Sequence, residues 1–346
     1  MGTRNAVVVY GATGHTGRFI VAELLERGFE PILSGRDAAG LERLAAGCGG
    51  LAVRPATVDD PSSLDRALAG AAAVINCAGP FAVTGGPVVE AAVRAGIPYL
   101  DVAAEIEANV TMFADHAEAA RNAGVPVVPA MAFFGGLGDL LATSAMEEST
   151  AADEVHVAYG LSGWHPTSGT RAAGRVSHER RGGRRVRFTG GALEYHDDAP
   201  TEQNWLFPEP VGRRAVIAEF TMADVVTVPS HLAVPEVRTY MTVEAATDLA
   251  REDTPAPEPV DALGRSDQTF VVDVLVRADG VERRAVARGR DIYAVTAPLV
   301  VEAVRRILAG QTRAIGLASA GAMFDAPDFL RALSPHLSVE FQSATR

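Results

Sequence analysis

The chain has 346 residues, of which 48% are hydrophobic and 21% are charged, and its formal net charge is −12. This size and apolar content predict a soluble globular protein with two domains, or with one domain and a large insertion. The acidic balance argues against nucleic acid or an anionic membrane as a partner. Only two cysteines, Cys48 and Cys77, are present, which excludes a disulfide framework and favours a cytoplasmic location.

Lysine is absent from the chain, so every basic side chain apart from histidine is arginine. This excludes a Schiff-base lysine, a phosphate loop of the glycine-lysine type and the Tyr-x-x-x-Lys pair of short-chain dehydrogenases. The eight histidines form no H-E-x-x-H or H-x-H motif. We therefore expect no catalytic metal.

Short apolar runs alternate with helical patterns through about the first 130 residues. The predicted strands are residues 6–10, 31–34, 51–53, 72–77, 99–102 and 125–128. The predicted helices are residues 17–27, 41–46, a segment beginning near Asp60, 88–95 and 106–122. This alternation predicts a Rossmann-type, doubly wound parallel sheet in a domain of residues 1–150.

Residues 68–89 carry no charge and are long enough to span a bilayer. However, Gly79-Pro80 and Gly85-Gly86-Pro87 would break a spanning helix. We interpret the stretch as a buried strand, a glycine-rich turn and the start of a helix, and we expect no membrane partner.

The pattern changes to alternating strands from Val155. Residues 184–188 and 237–243 alternate, and residues 269–277 face 283–288 across Ala278-Asp279-Gly280 as a hairpin. We predict an α+β second domain of residues 151–292, built on an antiparallel sheet, in which residues 250–267 form a mobile loop. A helix at 298–308 then begins a C-terminal segment, residues 293–346, that returns to the first domain.

A glycine-rich turn follows the first strand and opens the first helix, with the spacing G-x-x-G-x-x-G. Such a turn brings backbone N–H groups and a helix N-terminus to a pyrophosphate. The turn predicts a dinucleotide site made of Gly11, Ala12, Thr13, Gly14, His15, Thr16 and Gly17.

The end of the second strand decides which dinucleotide is expected. Ser34, Gly35 and Arg36 stand there, and a guanidinium suits a 2′-phosphate, so we predict NADP(H). Glu30 precedes Pro31 and lies at the other end of this strand. Arg36 could also be a solvated loop residue. Asp37 could cap the next helix, and Asp59 could approach the adenine or serve, like Asp60, as a helix cap.

The end of the fourth strand carries small residues and one aromatic ring. Ligands of open α/β sheets bind at the carboxyl ends of strands. The remaining predicted cofactor contacts are therefore Cys77, Ala78, Gly79, Pro80 and Phe81.

These motifs, together with residues 99–105, 127–129, 138–140, 168–170 and 291–296, resemble the saccharopine dehydrogenase-like reductases, in particular the branch of the trans-acting enoyl reductases. The resemblance implies an NADP-binding Rossmann domain, an inserted α+β domain and reduction of an unsaturated or imine-like bond. It implies no particular substrate.

The chain departs from the family pattern at two strand ends. Residues 132–139 replace a Gly-Phe-Asp-x-x-Pro-Ser-Asp pattern, and Ala103-Ala104-Glu105 replaces Thr-Gly-Glu. Both segments would face the nicotinamide. We therefore expect a pocket less polar than the family pattern.

Reduction by hydride transfer also needs a proton donor. Glu105 follows the fifth strand, although it could equally be a capping or ion-pairing residue. The loop from Gly163 to Arg171 combines an aromatic ring, an imidazole, hydroxyls and a guanidinium. From it we select His165 as an acid or orienting group, Thr170, and Arg171 as a carboxylate or phosphate anchor. The alternative of a solvent-exposed His165 is slightly favoured over a catalytic one.

We expect the protein to be an NADPH-dependent reductase of a small or medium organic substrate in specialised metabolism. The bond that it reduces is expected to be an enoyl or imine bond rather than a simple carbonyl. Two alternatives stay open: a sensor that binds NADP(H) without turnover, and a redox-neutral enzyme that retains bound NADP(H). A homodimer is expected by analogy with similar folds only.

Overall fold

A computed structural model describes residues 5–147, 149–278 and 280–345, with backbone alone for residues 343–345. Six strands form a first sheet in which every pairing is parallel: β1 (Ala6–Tyr10), β2 (Glu30–Gly35), β3 (Ala52–Pro55), β4 (Ala73–Asn76), β5 (Tyr99–Asp101) and β6 (Val127–Val128). Their order is β3-β2-β1-β4-β5-β6. This is the order of doubly wound dinucleotide-binding sheets, so the predicted Rossmann-type fold is confirmed.

Five helices connect these strands: α1 (His15–Glu26), α2 (Ala38–Gly47), α3 (Pro61–Leu68), α4 (Phe81–Ala95) and α5 (Ile106–Ala123). Two of them begin with an aspartate cap. Asp37 accepts a hydrogen bond from Gly40 N at 3.0 Å, and Asp60 accepts one from Ser62 N at 3.0 Å. Both side chains thus satisfy N–H groups that would otherwise lack a partner.

Helix α4 begins at Phe81, seven residues earlier than predicted, so the expected glycine-rich turn is helical. The glycines serve its packing on α5. A Cβ atom on Gly85 would lie 3.3 Å from Met112 Cε, and one on Gly86 would lie 3.7 Å from His116 Nε2. Pro87 lies in the second turn, where it costs one helical hydrogen bond. Packing against a neighbouring helix therefore outweighs the weak helix propensity of this segment.

A second sheet contains the remaining strands: β7 (Glu154–Leu161), β8 (Arg185–Thr189), β9 (Ala192–His196), β10 (Thr201–Leu206), β11 (Arg213–Ala218), β12 (Glu236–Thr242), β13 (Thr269–Ala278), β14 (Val281–Arg290) and β15 (Ser338–Thr345). The main order is β10-β11-β12-β7-β13-β14-β15, with β8 paired to β12 and β9. The predicted hairpin is β13 and β14, although its turn residue Asp279 lies outside the described residues.

The second sheet is mixed, which corrects the expected antiparallel sheet. Strand β12 runs parallel to β7, with Val237 opposite Val155, whereas β13 runs antiparallel to β7. The long segment between β7 and β12 allows the crossover that a parallel pair requires. Alternation of side chains marks a half-buried strand but does not encode its direction.

Seven further helices complete the fold: α6 (Gly138–Ala145), α7 (Ser168–Arg180), α8 (Asp224–Thr227), α9 (Val243–Ala250), α10 (Thr296–Leu308), α11 (Ala320–Met323) and α12 (Ala326–Ala332). Helix α10 packs on α1, where Arg27 Nη1 lies 2.8 Å from Glu302 Oε2. The last strand instead joins the second sheet beside β14. Within the described ranges, none of the helices has the length and apolar character needed to cross a bilayer.

Candidate functional site

A cleft of about 1470 Å³ lies along the carboxyl ends of the first sheet and continues beside α7 and the second sheet. The structure brings together most of the predicted site residues in its wall, namely Gly11, Thr13, Gly14, His15, Thr16, Gly35, Arg36, Asp59, Cys77, Ala78, Gly79, Pro80, Phe81, Glu105 and Thr170. Five predicted residues do not line it: Ala12, Gly17, Ser34, His165 and Arg171.

The glycine-rich turn is closely packed against the end of β4. Gly11 has φ +89°, and a Cβ atom there would lie 2.8 Å from Ala78 N. A Cβ atom on Gly17 would lie 2.4 Å from Gly11 O. Helix α1 starts at His15 with no side-chain cap on its first N–H groups. His15 and Thr16, the first residues of α1, line the cleft. The free N–H groups and the dipole at this helix N-terminus favour binding of a diphosphate there.

The second strand ends at an exposed arginine. Among the described residues, no group forms a hydrogen bond or ion pair with the Arg36 side chain, which lines the cleft. Its charge lowers the pKa of Tyr10, although burial of that phenol has the larger, opposite effect and raises the pKa overall. A free guanidinium beside a cleft is suited to bind a phosphate.

Ser34 shapes the turn and does not reach into the cleft. Its carbonyl oxygen accepts hydrogen bonds from Gly11 N at 2.8 Å and Ala12 N at 3.3 Å. Its side chain is fully buried, and Oγ has no partner in the described structure. The predicted direct contact of Ser34 with the cofactor is therefore replaced by an indirect role. Asp59, in contrast, is exposed at the edge of the cleft.

The end of β4 is held by Asn76. Its Oδ1 accepts a hydrogen bond from Ala78 N at 3.0 Å, and its Nδ2 donates to Thr84 Oγ1 at 3.2 Å. Burial raises the pKa of the neighbouring Cys77 thiol, which keeps it protonated at neutral pH. Cys77 therefore contributes shape and not a thiolate nucleophile.

Glu105 caps helix α4. Its Oε1 accepts a hydrogen bond from Phe81 N at 2.7 Å, and its Oε2 accepts one from Ala82 N at 3.0 Å. Burial raises the pKa of Glu105, while these two N–H groups oppose that shift. The geometry thus agrees with the interpretation of Glu105 as a capping residue. The helix that it caps is α4, whereas Glu105 itself directly precedes α5. Both carboxylate oxygens are engaged, so Glu105 fixes the strand end that faces the cleft.

The half-buried Tyr293 holds the loop that precedes α7. Tyr293 OH accepts hydrogen bonds from Trp164 Nε1 at 3.1 Å and Thr167 N at 3.3 Å, and it lies 3.0 Å from Thr170 Oγ1. Its ring also packs edge-on against His15, with centroids 5.2 Å apart. Burial lowers the pKa of His15, which favours the neutral imidazole. Tyr293 therefore joins the glycine-rich turn of the first domain to the loop of the second.

His165 and Arg171 do not take the predicted positions in the cleft. The side chain of His165 is exposed, and its carbonyl oxygen accepts a hydrogen bond from Tyr293 OH at 3.3 Å. Arg171 Nη2 donates to the carbonyl oxygens of Arg251 at 3.0 Å and Thr254 at 2.9 Å. The guanidinium of Arg171 therefore fastens the segment after α9 and is not available as an anion anchor.

The rest of the cleft is walled by apolar side chains. Phe134 and Trp164 pack with ring centroids 5.0 Å apart, and Phe220 and Met222 line the opposite part. Phe134 lies in a kinked, non-helical part of the segment Phe133–Leu137, where the chain departs from the family pattern. The expectation of a pocket less polar than the family pattern stays a prediction.

Residues 7–128 match the family model "Saccharopine dehydrogenase NADP binding domain". The match covers about a third of the chain, and this part is similar to that NADP-binding domain. A probable mitochondrial saccharopine dehydrogenase-like oxidoreductase of Arabidopsis thaliana is 31% identical over 142 residues, which are 37% of this chain and 31% of that protein. A saccharopine dehydrogenase-like oxidoreductase of Homo sapiens is 27% identical over 145 residues, which are 37% of this chain and 34% of that protein.

The similarity to these relatives covers about a third of their length. The fold of the whole chain is similar to that of saccharopine dehydrogenase (L-Glu forming) from Saccharomyces cerevisiae. The TM-score is 0.65 at 14% identity, and the match covers 98% of this chain and 100% of that one. This likeness supports the fold, with its parallel sheet and its second mixed sheet.

The match to an NADP-binding domain identifies NADP(H) as the cofactor of residues 7–128. The residues present fit it. A Cβ atom on Gly11 would collide with Ala78 N and one on Gly17 with Gly11 O, so both glycines let the turn pack closely at the edge of the cleft. Arg36 offers an unpartnered guanidinium at the end of the sheet where the ribose phosphate would lie.

Several cleft residues were not selected from the sequence. Tyr293 was part of a recognised motif, but nothing local showed that its hydroxyl meets the loop at Trp164 and Thr170. Phe220 and Met222 follow β11, a strand that alternation did not reveal. Arg181 lies at the end of α7 and lines the cleft. Only the long-range packing of the second sheet brings these side chains together.

Proposed function

We propose that the protein is an NADPH-dependent reductase of a C=C or C=N bond in a small or medium apolar substrate. The supporting observation is the continuity of one cleft from the glycine-rich turn to the apolar wall at Phe134, Trp164 and Phe220. Its volume of about 1470 Å³ exceeds the roughly 300–1,000 Å³ of a site for one ligand. The cleft can therefore hold a cofactor and a second organic molecule.

In this proposal the first domain orients the cofactor. The N–H groups at the start of α1 bind the diphosphate, and Arg36 binds the 2′-phosphate of the adenosine. Asp59 contacts the adenine side, and residues 77–81 contact the nicotinamide ribose. Tyr293, through His15 and the loop at Thr170, covers the turn from the side of the second domain.

NADPH supplies the hydride, and the chain's own residues must orient the acceptor and deliver a proton. Phe81 and Phe133 wall the cleft near the ends of β4 and β6, where they exclude water. Glu105 is a positioning residue because both of its oxygens cap α4. Thr170, whose hydroxyl lies in the cleft beside Tyr293 OH, is the predicted residue that we propose to assist proton delivery.

A turnover assay with paired substrates tests this function. Purified protein is mixed with NADPH and either an α,β-unsaturated ketone, a cyclic imine or a saturated ketone of matching size, and the loss of NADPH absorbance is followed. We expect consumption with the first or second compound and an equal amount of reduced product. Product formation without net NADPH consumption would support redox-neutral chemistry, and binding without any turnover across the panel would support a sensor.

Three further proposals concern the domain boundaries, the assembly and the location of the protein. The division into residues 1–150, 151–292 and 293–346 would be contradicted if limited proteolysis cut within these segments rather than between them. A homodimer would be contradicted by a monomer mass in sedimentation equilibrium. The cytoplasmic location is based on the free thiols of Cys48 and Cys77. It would be contradicted by recovery of the native protein from another compartment in cell fractionation.

A further inference from the structure

The cleft extends beyond the cofactor residues to an arginine at the end of α7. Ala173 Cβ lies within 3.8 Å of the position that a Cβ atom on Gly79 would take, which places that turn of α7 over the end of β4. Arg181 follows eight residues later, about 12 Å along the helix axis, and its side chain lines the same cleft. Arg185 and Glu202 line the same cleft, so its charged groups include two guanidiniums and one carboxylate there.

The guanidinium of Arg181 is poorly satisfied within the protein. Its Nη1 donates to Ser177 Oγ at 2.8 Å, while its Nε is buried without a partner. In the described structure Arg181 forms no ion pair. Glu107 reaches it only through the Ser177 hydroxyl, which donates to Glu107 Oε2 at 2.6 Å. An arginine has five N–H donors, so most of the donors of Arg181 remain available.

Two nearby arginines show a different environment. Arg185 Nη2 donates to the carbonyl oxygens of Ala218 and Glu219, and Arg187 pairs with three carboxylates, those of Glu194, Asp198 and Glu219. Burial lowers the pKa of Arg181, although Glu107 partly opposes that shift. A desolvated cation with few partners costs free energy until an anion pairs with it.

We propose that Arg181 binds the carboxylate of an apolar organic acid, and that such an acid is the substrate class of this cleft. The inference rests on the proposed reductase function. The cleft wall also contains the apolar side chains of Phe134, Phe220 and Met222, which suit the hydrocarbon body of the acid. One guanidinium pairs with one carboxylate by two parallel hydrogen bonds.

Calorimetric titration of the NADPH-loaded protein with decanoate and with 1-decanol tests this assignment. We expect decanoate to bind at least about tenfold more tightly than 1-decanol, since a hydrogen bond between charged groups is stronger than one between neutral groups. Arg181→Met should remove this preference while leaving the affinity for 1-decanol unchanged. Arg181→Lys should keep part of it because the charge remains.

Arg184→Met is the matched control. Arg184 is exposed three residues further along, lies outside the cleft wall and packs over the Tyr195 ring. This variant should bind decanoate as the wild type does. NADPH affinity and thermal unfolding, measured for every variant, verify that the fold and the cofactor site are intact.

Equal affinity of the wild type for the two probes, or failure of decanoate to bind, would overturn the assignment. Unchanged decanoate affinity in Arg181→Met would also overturn it. In each of these cases normal NADPH binding would leave the proposed reductase function standing. Failure of the wild type to bind NADPH would instead remove the proposed function itself.

Discussion

The indole Nε1 of Trp164 donates a hydrogen bond to Tyr293 OH at 3.1 Å, although the two residues are 129 positions apart in the chain. The same hydroxyl lies 3.0 Å from Thr170 Oγ1, so it fixes both ends of the loop that covers the glycine-rich turn. Because the Tyr293 ring also packs against His15, this residue links the loop of residues 164–170 to the glycine-rich turn.

Replacing Tyr293 with Phe should loosen this loop while keeping the aromatic contact with His15. Trp164 Nε1 and Thr167 N would lose their acceptor, and an unsatisfied buried donor costs about 1–3 kcal/mol. We expect a lower free energy of unfolding and severalfold weaker NADPH binding. Chemical denaturation and fluorescence titration measure the two effects.

Tyr240→Phe provides the control for that variant. Tyr240 OH lies 2.8 Å from His156 Nδ1 in the second sheet, away from the cleft. Tyr240→Phe should lower the free energy of unfolding but leave the NADPH affinity at the wild-type level. If both variants bind NADPH equally well, the loop does not contribute to the cofactor site.

Gly17→Ala should weaken NADPH binding strongly. The added Cβ would lie 2.4 Å from Gly11 O, so the turn must move away from the position that exposes its N–H groups. Gly47→Ala is the matched control because Gly47 is also helical and a Cβ there meets no atom within 4 Å. Wild-type NADPH affinity in Gly17→Ala would show that this turn does not bind the diphosphate.

Glu105→Gln should destabilise the junction of β5 and α4 by about 1–3 kcal/mol. An amide has one oxygen, so it cannot accept from both Phe81 N and Ala82 N as the carboxylate does. We expect a lower unfolding temperature and a reduced turnover number, with NADPH affinity changed less than in Gly17→Ala. A turnover number equal to that of the wild type would contradict a positioning role.

The buried pair of Tyr159 and Asp224 predicts a pH dependence of stability. Tyr159 OH lies 2.9 Å from both oxygens of Asp224, which is fully buried. Burial raises the pKa of Asp224 to about 7, and Asp139 adds to that shift. The folded state therefore binds this proton more tightly than the unfolded state, in which the pKa is near 3.8.

The contribution of Asp224 is fully present below about pH 4 and is lost as the pH rises through about 7. We expect the free energy of unfolding of the wild type to fall across this window relative to Asp224→Asn, whose amide does not titrate. Urea denaturation from pH 5 to pH 8 measures the difference between the two proteins. A constant difference across that range would contradict a raised pKa at Asp224.

The sequence was most informative where function depends on consecutive residues. The turn from Gly11 to Gly17 and the caps at Asp37 and Asp60 follow from local backbone requirements, which spacing reveals. The parallel pairing of β12 with β7 and the placement of Tyr293 and Arg181 depend on contacts between distant segments. No local pattern encodes those contacts, so residue spacing predicted the glycine-rich turn and the helix caps but not the contacts of Tyr293 and Arg181.

Helix α4 illustrates a competition between local and tertiary effects. Gly85, Gly86 and Pro87 disfavour a helix by their own propensities, yet the close approach of Met112 and His116 requires small residues on that face. Arg171 also shows a tertiary contact that its local sequence does not reveal. Its position in a polar loop suggested an anion anchor, whereas its guanidinium donates hydrogen bonds to two backbone carbonyl oxygens.

The preference of the protein for NADPH over NADH, measured by fluorescence titration in the wild type and in Arg36→Met, tests the central claim most directly. Arg43→Met, an exposed arginine one turn into α2, serves as the control. We predict much tighter binding of NADPH by the wild type and by the control, and loss of this preference in Arg36→Met with NADH affinity unchanged. Equal binding of the two nucleotides by the wild type, or an unaltered preference in Arg36→Met, would contradict the assignment of Arg36 to the 2′-phosphate.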